Sequence, residues 1–151
     1  KNFALNEVAV LKKDTSSMVK IDTFVDDEFL NTYWADGLII STPTGSTGYS
    51  LSCGGPIISP GTNNIIITPI APHNLNVRPI IINDNSIIKL KVEDRDQLAL
   101  VALDSCSRAF DSSEELTIKK ANFRINLIEP QGNTFTSTIR SKLMWGSDKR
   151  N

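Results

Sequence analysis

Apolar residues recur along this chain in short runs with the spacing of β-strands. In Ile87-Ile88-Lys89-Leu90-Lys91-Val92, the residues Ile88, Leu90 and Val92 alternate with Ile87, Lys89 and Lys91, the period-two pattern of a half-buried strand. Comparable runs predict strands over 4–11, 19–25, 37–41, 65–69, 77–82, 98–103, 116–120 and 123–128. Turn-forming side chains at Asn63-Asn64, Asn83-Asp84-Asn85 and Asp111-Ser112-Ser113 separate several of them. The continuous triplets Ile65-Ile66-Ile67 and Ile80-Ile81-Ile82 fit strands covered on both faces. Together these features predict a mainly β fold, antiparallel for the most part, in a two-layer, β-sandwich-like arrangement.

Two helices interrupt the β pattern. One starts near Gly45 and ends at Gly54-Gly55-Pro56, where two glycines and a proline stop it. The other runs from Phe135 to Met144, with Phe135, Ile139 and Leu143 forming one apolar stripe. Residues 130–151 carry Arg140, Lys142, Lys149 and Arg150 against Asp148. That basic tail reads either as a solvated helix face or as a segment that docks on a further domain. The chain opens Lys1-Asn2-Phe3 without a methionine, so a piece of a longer protein is the expectation.

With 151 residues, 40% hydrophobic and 22% charged, the chain is long enough for one globular domain with its own core. A net charge of -1 removes the electrostatic attraction that dominates nucleic-acid binding. No apolar run approaches the roughly 20 residues of a membrane-spanning helix, so neither nucleic acid nor membrane is expected as a partner. Cys53 and Cys106 form no CxxC pair, and a single histidine, His73, cannot complete a Cys/His zinc cage. Reduced thiols and a cytoplasmic location are the expectation.

Candidate chemistry concentrates in one stretch. From Gly37 to Val77 there is no Lys, Arg, Asp or Glu, yet Ser41, Thr42, Thr44, Ser46, Thr47, Tyr49, Ser50 and Ser52 crowd its first third. Hydroxyls both donate and accept, and Gly45 and Gly48 allow close approach of backbone, a combination suited to a purine or ribose edge. A Ser/Thr-rich turn capping a helix is the alternative. The spacing is neither that of a Walker A loop, which needs a Lys after its glycines, nor that of a GxSxG elbow. Asn6-Glu7 sits in an otherwise apolar strand, so one of the two side chains faces inward and needs a partner. Asp36 fits an Asp-Gly turn; Trp34 and Trp145 read as packing residues, with Trp34, two residues before Asp36, close enough to line the same pocket. His73 reads as a hydrogen-bonded loop residue rather than a base, and Arg78 pairs with a carboxylate or reaches a phosphate.

The string from Asp36-Gly37-Leu38 through Ser41-Thr42-Pro43-Thr44-Gly45-Ser46-Thr47-Gly48-Tyr49-Ser50-Leu51-Ser52 to Gly54-Gly55-Pro56 resembles the signature of the NAD kinases. Leu5-Asn6-Glu7-Val8, Thr68-Pro69-Ile70-Ala71-Pro72-His73 with Arg78-Pro79, and Lys142-Leu143-Met144-Trp145-Gly146 follow that family's order. The resemblance implies transfer of a phosphoryl group from ATP, with a divalent metal such as Mg, to the 2′-hydroxyl of the adenosine ribose of NAD, giving NADP. It implies that Asn6 and Glu7 hold the ribose, that Thr44, Thr47 and Gly48 meet the adenine edge, and that Tyr49, Ser50, Leu51 and Ser52 complete the pocket. Asp36 and Ala71 would approach an NAD held by a neighbouring subunit of a homodimer or homotetramer. The family's Gly-Gly-Asp-Gly loop, with the aspartate taken as its base, does not occur in this sequence. By the resemblance the chain is a C-terminal domain, inactive alone, whose tail returns to an N-terminal domain. The sequence departs from the family at Trp34, where some relatives carry Arg, and at Asp104-Ser105-Cys106, where many read Asp-Gly-Gln. A non-catalytic β-sandwich binding module and a lipid-kinase relative are the competing readings; the hydroxyl-rich stretch suits the latter's apolar acceptor poorly.

Overall fold

A computed structural model describes residues 2–13, 17–93, 98–126, 128, 132 and 134–145. Its strands are β1 (Glu7–Leu11), β2 (Val19–Val25), β3 (Glu28–Ala35), β4 (Gly37–Ser41), β5 (Asn64–Ile70), β6 (Ile80–Asn83), β7 (Ile88–Glu93), β8 (Leu98–Leu103), β9 (Cys106–Asp111) and β10 (Glu115–Ile118). A 3-10 turn over Thr44–Thr47 and the helical turn α1 (Tyr49–Ser52) follow β4, and α2 (Phe135–Lys142) comes last. The strands form two sheets, ordered β6-β5-β4-β1-β8-β9 and β10-β7-β2-β3. Every pairing is antiparallel. The expected mainly β, two-sheet fold with a short helix and a terminal helix is therefore present.

Lys1–Ala121 and Asn122–Asn151 form separate compact units. Both sheets lie in the first. Their facing sides meet in one cluster: Val10, Leu38, Ile40, Ile65, Ile67, Ala99 and Val101 from the larger sheet, and Val19, Ile21, Tyr33, Ile88, Leu90 and Val92 from the smaller. Burial of this apolar surface is the main term holding the sheets together. The centre of the larger sheet is covered on its other face as well, because Ala9, Ile39, Ser41, Ile66 and Thr68 are also buried. Ser50 of α1 reaches Thr68 of β5 with a 2.8 Å hydrogen bond between hydroxyls, which identifies the 44–55 segment as part of that cover. This double covering explains why β4 and the Ile65-Ile66-Ile67 run are continuously apolar.

Several expectations need correction. Ile80-Ile81-Ile82 is not covered on both sides: β6 is the edge of the larger sheet, and Ile81 is 47% exposed. The strand there starts at Ile80, since Val77 N–H turns back to the Asn74 carbonyl and Pro79 cannot donate to a ladder. Residues 123–126 form no strand despite their alternation, because a strand requires a neighbour to take its backbone groups and no ladder forms there. Two strands were not expected. β3 follows a tight turn with positive φ at both Asp26 and Asp27, the geometry of a two-residue hairpin. Its Phe29, Leu30 and Trp34 are exposed, so the apolar pattern does not report the buried face. β9 is an exposed edge strand with little alternation to read.

In the second unit, Thr134 caps α2 with a reciprocal pair of bonds to Ser137, of 3.1 and 3.0 Å, and Arg140 and Lys142 sit in the last turn where the helix dipole favours cations. Part of the expected docking tail, including 146–151, lies outside the described residues.

Candidate functional site

The entry to β1 is pinned from two sides. Asp104, in the two-residue turn between β8 and β9, accepts main-chain N–H bonds from Leu5 (3.1 Å), Asn6 (2.8 Å) and Glu7 (3.4 Å). Its own N–H donates to the Glu7 carbonyl at 3.0 Å. Asp104 has φ of 53°, a left-handed conformation that Asp tolerates better than most residues. On the other side, Thr42 Oγ1 donates to the Leu5 carbonyl at 2.7 Å, and Thr42 N–H donates to the Asn6 carbonyl at 2.9 Å. Thr42 Oγ1 in turn accepts from Gly45 N–H at 3.1 Å. The hydroxyl-rich loop is thereby hung on the Asn6–Glu7 segment.

Gly45 packs directly on that segment; a Cβ there would lie 2.1 Å from the Asn6 carbonyl oxygen. Beyond Gly45 the helical path breaks at Gly48, whose φ and ψ of -98° and -129° separate the 3-10 turn from α1. Two turns with a break replace the single helix predicted from Gly45 to Gly54; Gly54, with φ of 80°, ends the segment as expected. Ser46 and Ser50 are fully buried. Ser46 Oγ donates to the Pro43 carbonyl at 2.6 Å and accepts from Ile58 N–H at 3.0 Å, which fastens the loop to the 56–58 segment.

Glu7 is the electrostatic anomaly. Its Oε2 is buried with no hydrogen-bond partner among the described residues, a costly state for a carboxylate. Burial first, and repulsion from Asp104 second, hold its pKa above the ordinary carboxylate value. A Cβ on Gly48 would come within 3.5 Å of that oxygen, so the carboxylate lies directly against the loop. The arrangement is an acceptor-only group facing backbone and hydroxyls, suited to a ligand that brings O–H or N–H donors.

The predicted residues fall into three groups. Asn6, Glu7, Thr44, Thr47, Gly48 and Tyr49 belong to this one cradle, with Thr47, Gly48 and Tyr49 exposed along the loop. Leu51 is half-buried and Ser52 exposed on α1. Ser50 is buried, and its hydroxyl bonds Thr68 behind the loop. Burial also pushes the Tyr49 phenol up, with smaller contributions from Cys53 and Asp36, so it remains a neutral donor and acceptor. Cys53 and Cys106 are both free, and burial raises the Cys53 thiol as well, which disfavours a reactive thiolate.

Asp36 and Ala71 stand together at the end of β4 away from Thr42, with Asp36 near enough to Tyr49 to raise its phenol. Asp36 N–H donates to the Ile70 carbonyl at 2.9 Å, Lys12 Nζ pairs with its carboxylate at 2.6 Å, and Ala71 has φ of 44°. Gly37 lets this corner close, since a Cβ there would meet the Val10 carbonyl oxygen at 2.3 Å. Nearby, Thr32, Tyr33, Trp34, Pro72, His73, Asn74 and Val77 line a shallow groove of about 240 Å³. His73 N–H donates to the Trp34 carbonyl at 2.8 Å, consistent with a loop residue. Among the described residues Arg78 pairs with no carboxylate; its Nη1 donates to the Leu75 and Val77 carbonyls at 2.5 and 2.8 Å. The role of Asp104 in fixing Asn6 and Glu7 was not foreseen, although a short polar Asp-Ser turn between two strands marks the place.

Two antiparallel sheets packed face to face, with a hydroxyl-rich loop over the larger one, define a domain of the β-sandwich class. Residues 5–129 match the model of the ATP-NAD kinase C-terminal domain, and the chain belongs to that family. It is 60% identical over 150 residues to the NAD kinase of Flavobacterium psychrophilum and 57% identical over 150 residues to that of Christiangramia forsetii. Each alignment covers 99% of this chain and 51% of the relative, so the chain spans about half the length of the curated relatives it matches. Among solved structures, yeast NADH kinase complexed with NADH superposes with a TM-score of 0.87 at 28% identity, over 96% of this chain and 45% of that one. An NAD kinase from Archaeoglobus fulgidus in complex with ATP gives a TM-score of 0.73 at 36% identity, over 80% of this chain and 46% of that one.

Proposed function

We propose that this chain is the NAD-binding and self-association domain of an NAD kinase, which transfers the terminal phosphoryl group of ATP to the 2′-hydroxyl of NAD's adenosine ribose to give NADP. The observation that carries this is the buried, unpartnered Oε2 of Glu7 beside Gly48. A ribose diol supplies the O–H donors that an ionised carboxylate requires, and Asn6, next to it, offers an amide able both to donate and to accept. The hydroxyls of Thr44 and Thr47, beside the exposed Gly48, suit the adenine edge. Tyr49, Leu51 and Ser52 border the remainder.

In this account the chain contributes positioning rather than proton abstraction. Phosphoryl transfer demands little covalent chemistry from the protein and much alignment of acceptor and donor. Asn6 and Glu7 orient the ribose so that its 2′-oxygen faces the ATP, and the covered sheet behind the loop holds that orientation. The base comes from another segment of the protein, since Gly-Gly-Asp-Gly does not occur here, and this chain alone forms no NADP. Among the described residues no group of three or more His, Cys, Asp or Glu side chains is placed to hold a metal ion, and the divalent ion is proposed to arrive with ATP. No step is assigned to it.

Asp36 and Ala71, at the far end of β4 from Glu7, are placed in this account to touch the NAD of a neighbouring subunit in a homodimer or homotetramer. No helix among the described residues is long and apolar enough to cross a membrane, and the proposed setting of the enzyme is cytoplasmic. Replacing Asn6 with Ala is expected to weaken NAD binding by about 1–3 kcal/mol, the cost of a lost buried polar partner. Calorimetric titration of the wild-type and variant proteins checks it, and equal affinities would remove Asn6 from the site.

A further inference from the structure

We propose that Asp104 is a positioning residue for the dinucleotide site, one that fixes the ribose-facing segment and the hydroxyl loop as a single unit. This rests on the reading of Asn6 and Glu7 as ribose contacts. The geometry is a continuous relay. The Asp104 carboxylate takes three successive main-chain N–H groups, those of Leu5, Asn6 and Glu7, at 3.1, 2.8 and 3.4 Å. The carbonyls of Leu5 and Asn6 then receive Thr42 through its hydroxyl at 2.7 and 3.2 Å, and Ser41 Oγ adds a 3.3 Å bond to the Asn6 carbonyl. Thr42 Oγ1 finally holds Gly45 N–H at 3.1 Å. Asp104 thus stands at one end of a chain of bonds whose other end is the loop.

The anchor lies nearly a hundred residues away in sequence from the segment it holds, so it fixes the segment in space rather than shaping it locally. Successive N–H groups converging on one carboxylate make a small anion-binding concavity, and charge-assisted bonds of this kind are about twice as strong as neutral ones. Residues 5–6 precede the first paired residue of β1, and without Asp104 the bonds that remain to them among the described residues come from Ser41 and Thr42. The same carboxylate faces Glu7 and opposes its ionisation. The other elements packed against Glu7 bring uncharged residues there, Ser41 of β4 and Gly48 of the loop. Asp104 therefore influences both where Glu7 sits and the pH at which it can accept a ribose hydroxyl.

The test uses Asp104→Asn, which keeps the size and suits the left-handed turn, and Asp104→Ser, which keeps one acceptor. NAD affinity of the full protein is measured from pH 4 to pH 8, with a near-ultraviolet spectrum to confirm the fold. Both variants should bind NAD about tenfold more weakly at neutral pH. The midpoint at which binding fades on acidification should move to lower pH, because repulsion on Glu7 is gone. Unchanged affinity, or weaker binding with an unmoved midpoint, would overturn the proposal. Loss of the native fold in both variants would assign Asp104 to structure alone and overturn it too. If the unsubstituted protein takes up no NAD, the ribose reading of Asn6 and Glu7 fails first and this proposal falls with it.

Discussion

Gly45→Ala is expected to destabilise the domain by about 3 kcal/mol, the upper range for forcing extra atoms into a packed site, and to abolish dinucleotide binding. The new methyl would lie 2.1 Å from the Asn6 carbonyl oxygen, 2.5 Å from its carbon and 2.7 Å from its Cα. These are backbone atoms, so no side-chain rotation relieves the contact. The Asn6 backbone cannot retreat either, because Asp104 holds its N–H at 2.8 Å and Thr42 holds its carbonyl. Gly48 provides the contrast: a Cβ there meets its nearest atoms at 3.3 and 3.5 Å, and Gly48→Ala should fold. Urea unfolding of the two variants checks the pair. A Gly45→Ala protein with wild-type midpoint and NAD affinity would contradict the close seating of the loop on Asn6.

Glu7→Gln is expected to weaken NAD binding by about 1.5–3 kcal/mol, the range for a hydrogen bond to a charged group, while raising the stability of the unliganded protein at neutral pH. The sign follows from linkage. Burial and Asp104 raise the pKa of Glu7 in the folded state above its unfolded value. Between those two values the folded protein binds more protons than the unfolded chain, so Glu7 costs stability as pH rises through that window, and the full cost persists above it. Glutamine carries no charge and escapes this cost. The gain in melting temperature over wild type should therefore be largest near neutrality and disappear in acid, where Glu7 is protonated in both states. Melting curves across pH beside NAD titrations measure both effects. A variant less stable than wild type at pH 7 with unaltered affinity would mean that Glu7 serves the fold and not a ligand.

Where apolar alternation reflected burial, the fold was legible in the sequence. β7 and the core of β2 alternate because one face meets the opposing sheet, and β4 is continuously apolar because the loop covers its second face. The pattern misled where burial and pairing part company. Ile81 sits in an apolar triplet but at an edge, and β3 turns Phe29 and Trp34 outward. Residues 123–126 alternate without a ladder. For the candidate site, the excess of hydroxyls after Ser41 and the polar Asn6-Glu7 pair marked two segments that the fold hydrogen-bonds together, since polar groups in an apolar context need a purpose. Sequence could not tell which hydroxyls face out. Ser46 and Ser50 turn inward to hold the loop, whereas Thr47 and Tyr49 are exposed. Nor could it join Asp104 to Leu5, Asn6 and Glu7, a contact made only once β8 pairs with β1.

The most direct measurement is a calorimetric titration of the folded protein with NAD, run beside the Glu7→Gln variant. Saturable binding at one site per chain, weakened at least tenfold by the substitution, is the predicted result. Absence of binding by a protein whose circular dichroism shows the native β fold, or binding indifferent to Glu7, would contradict the assignment of this cradle to the adenosine ribose.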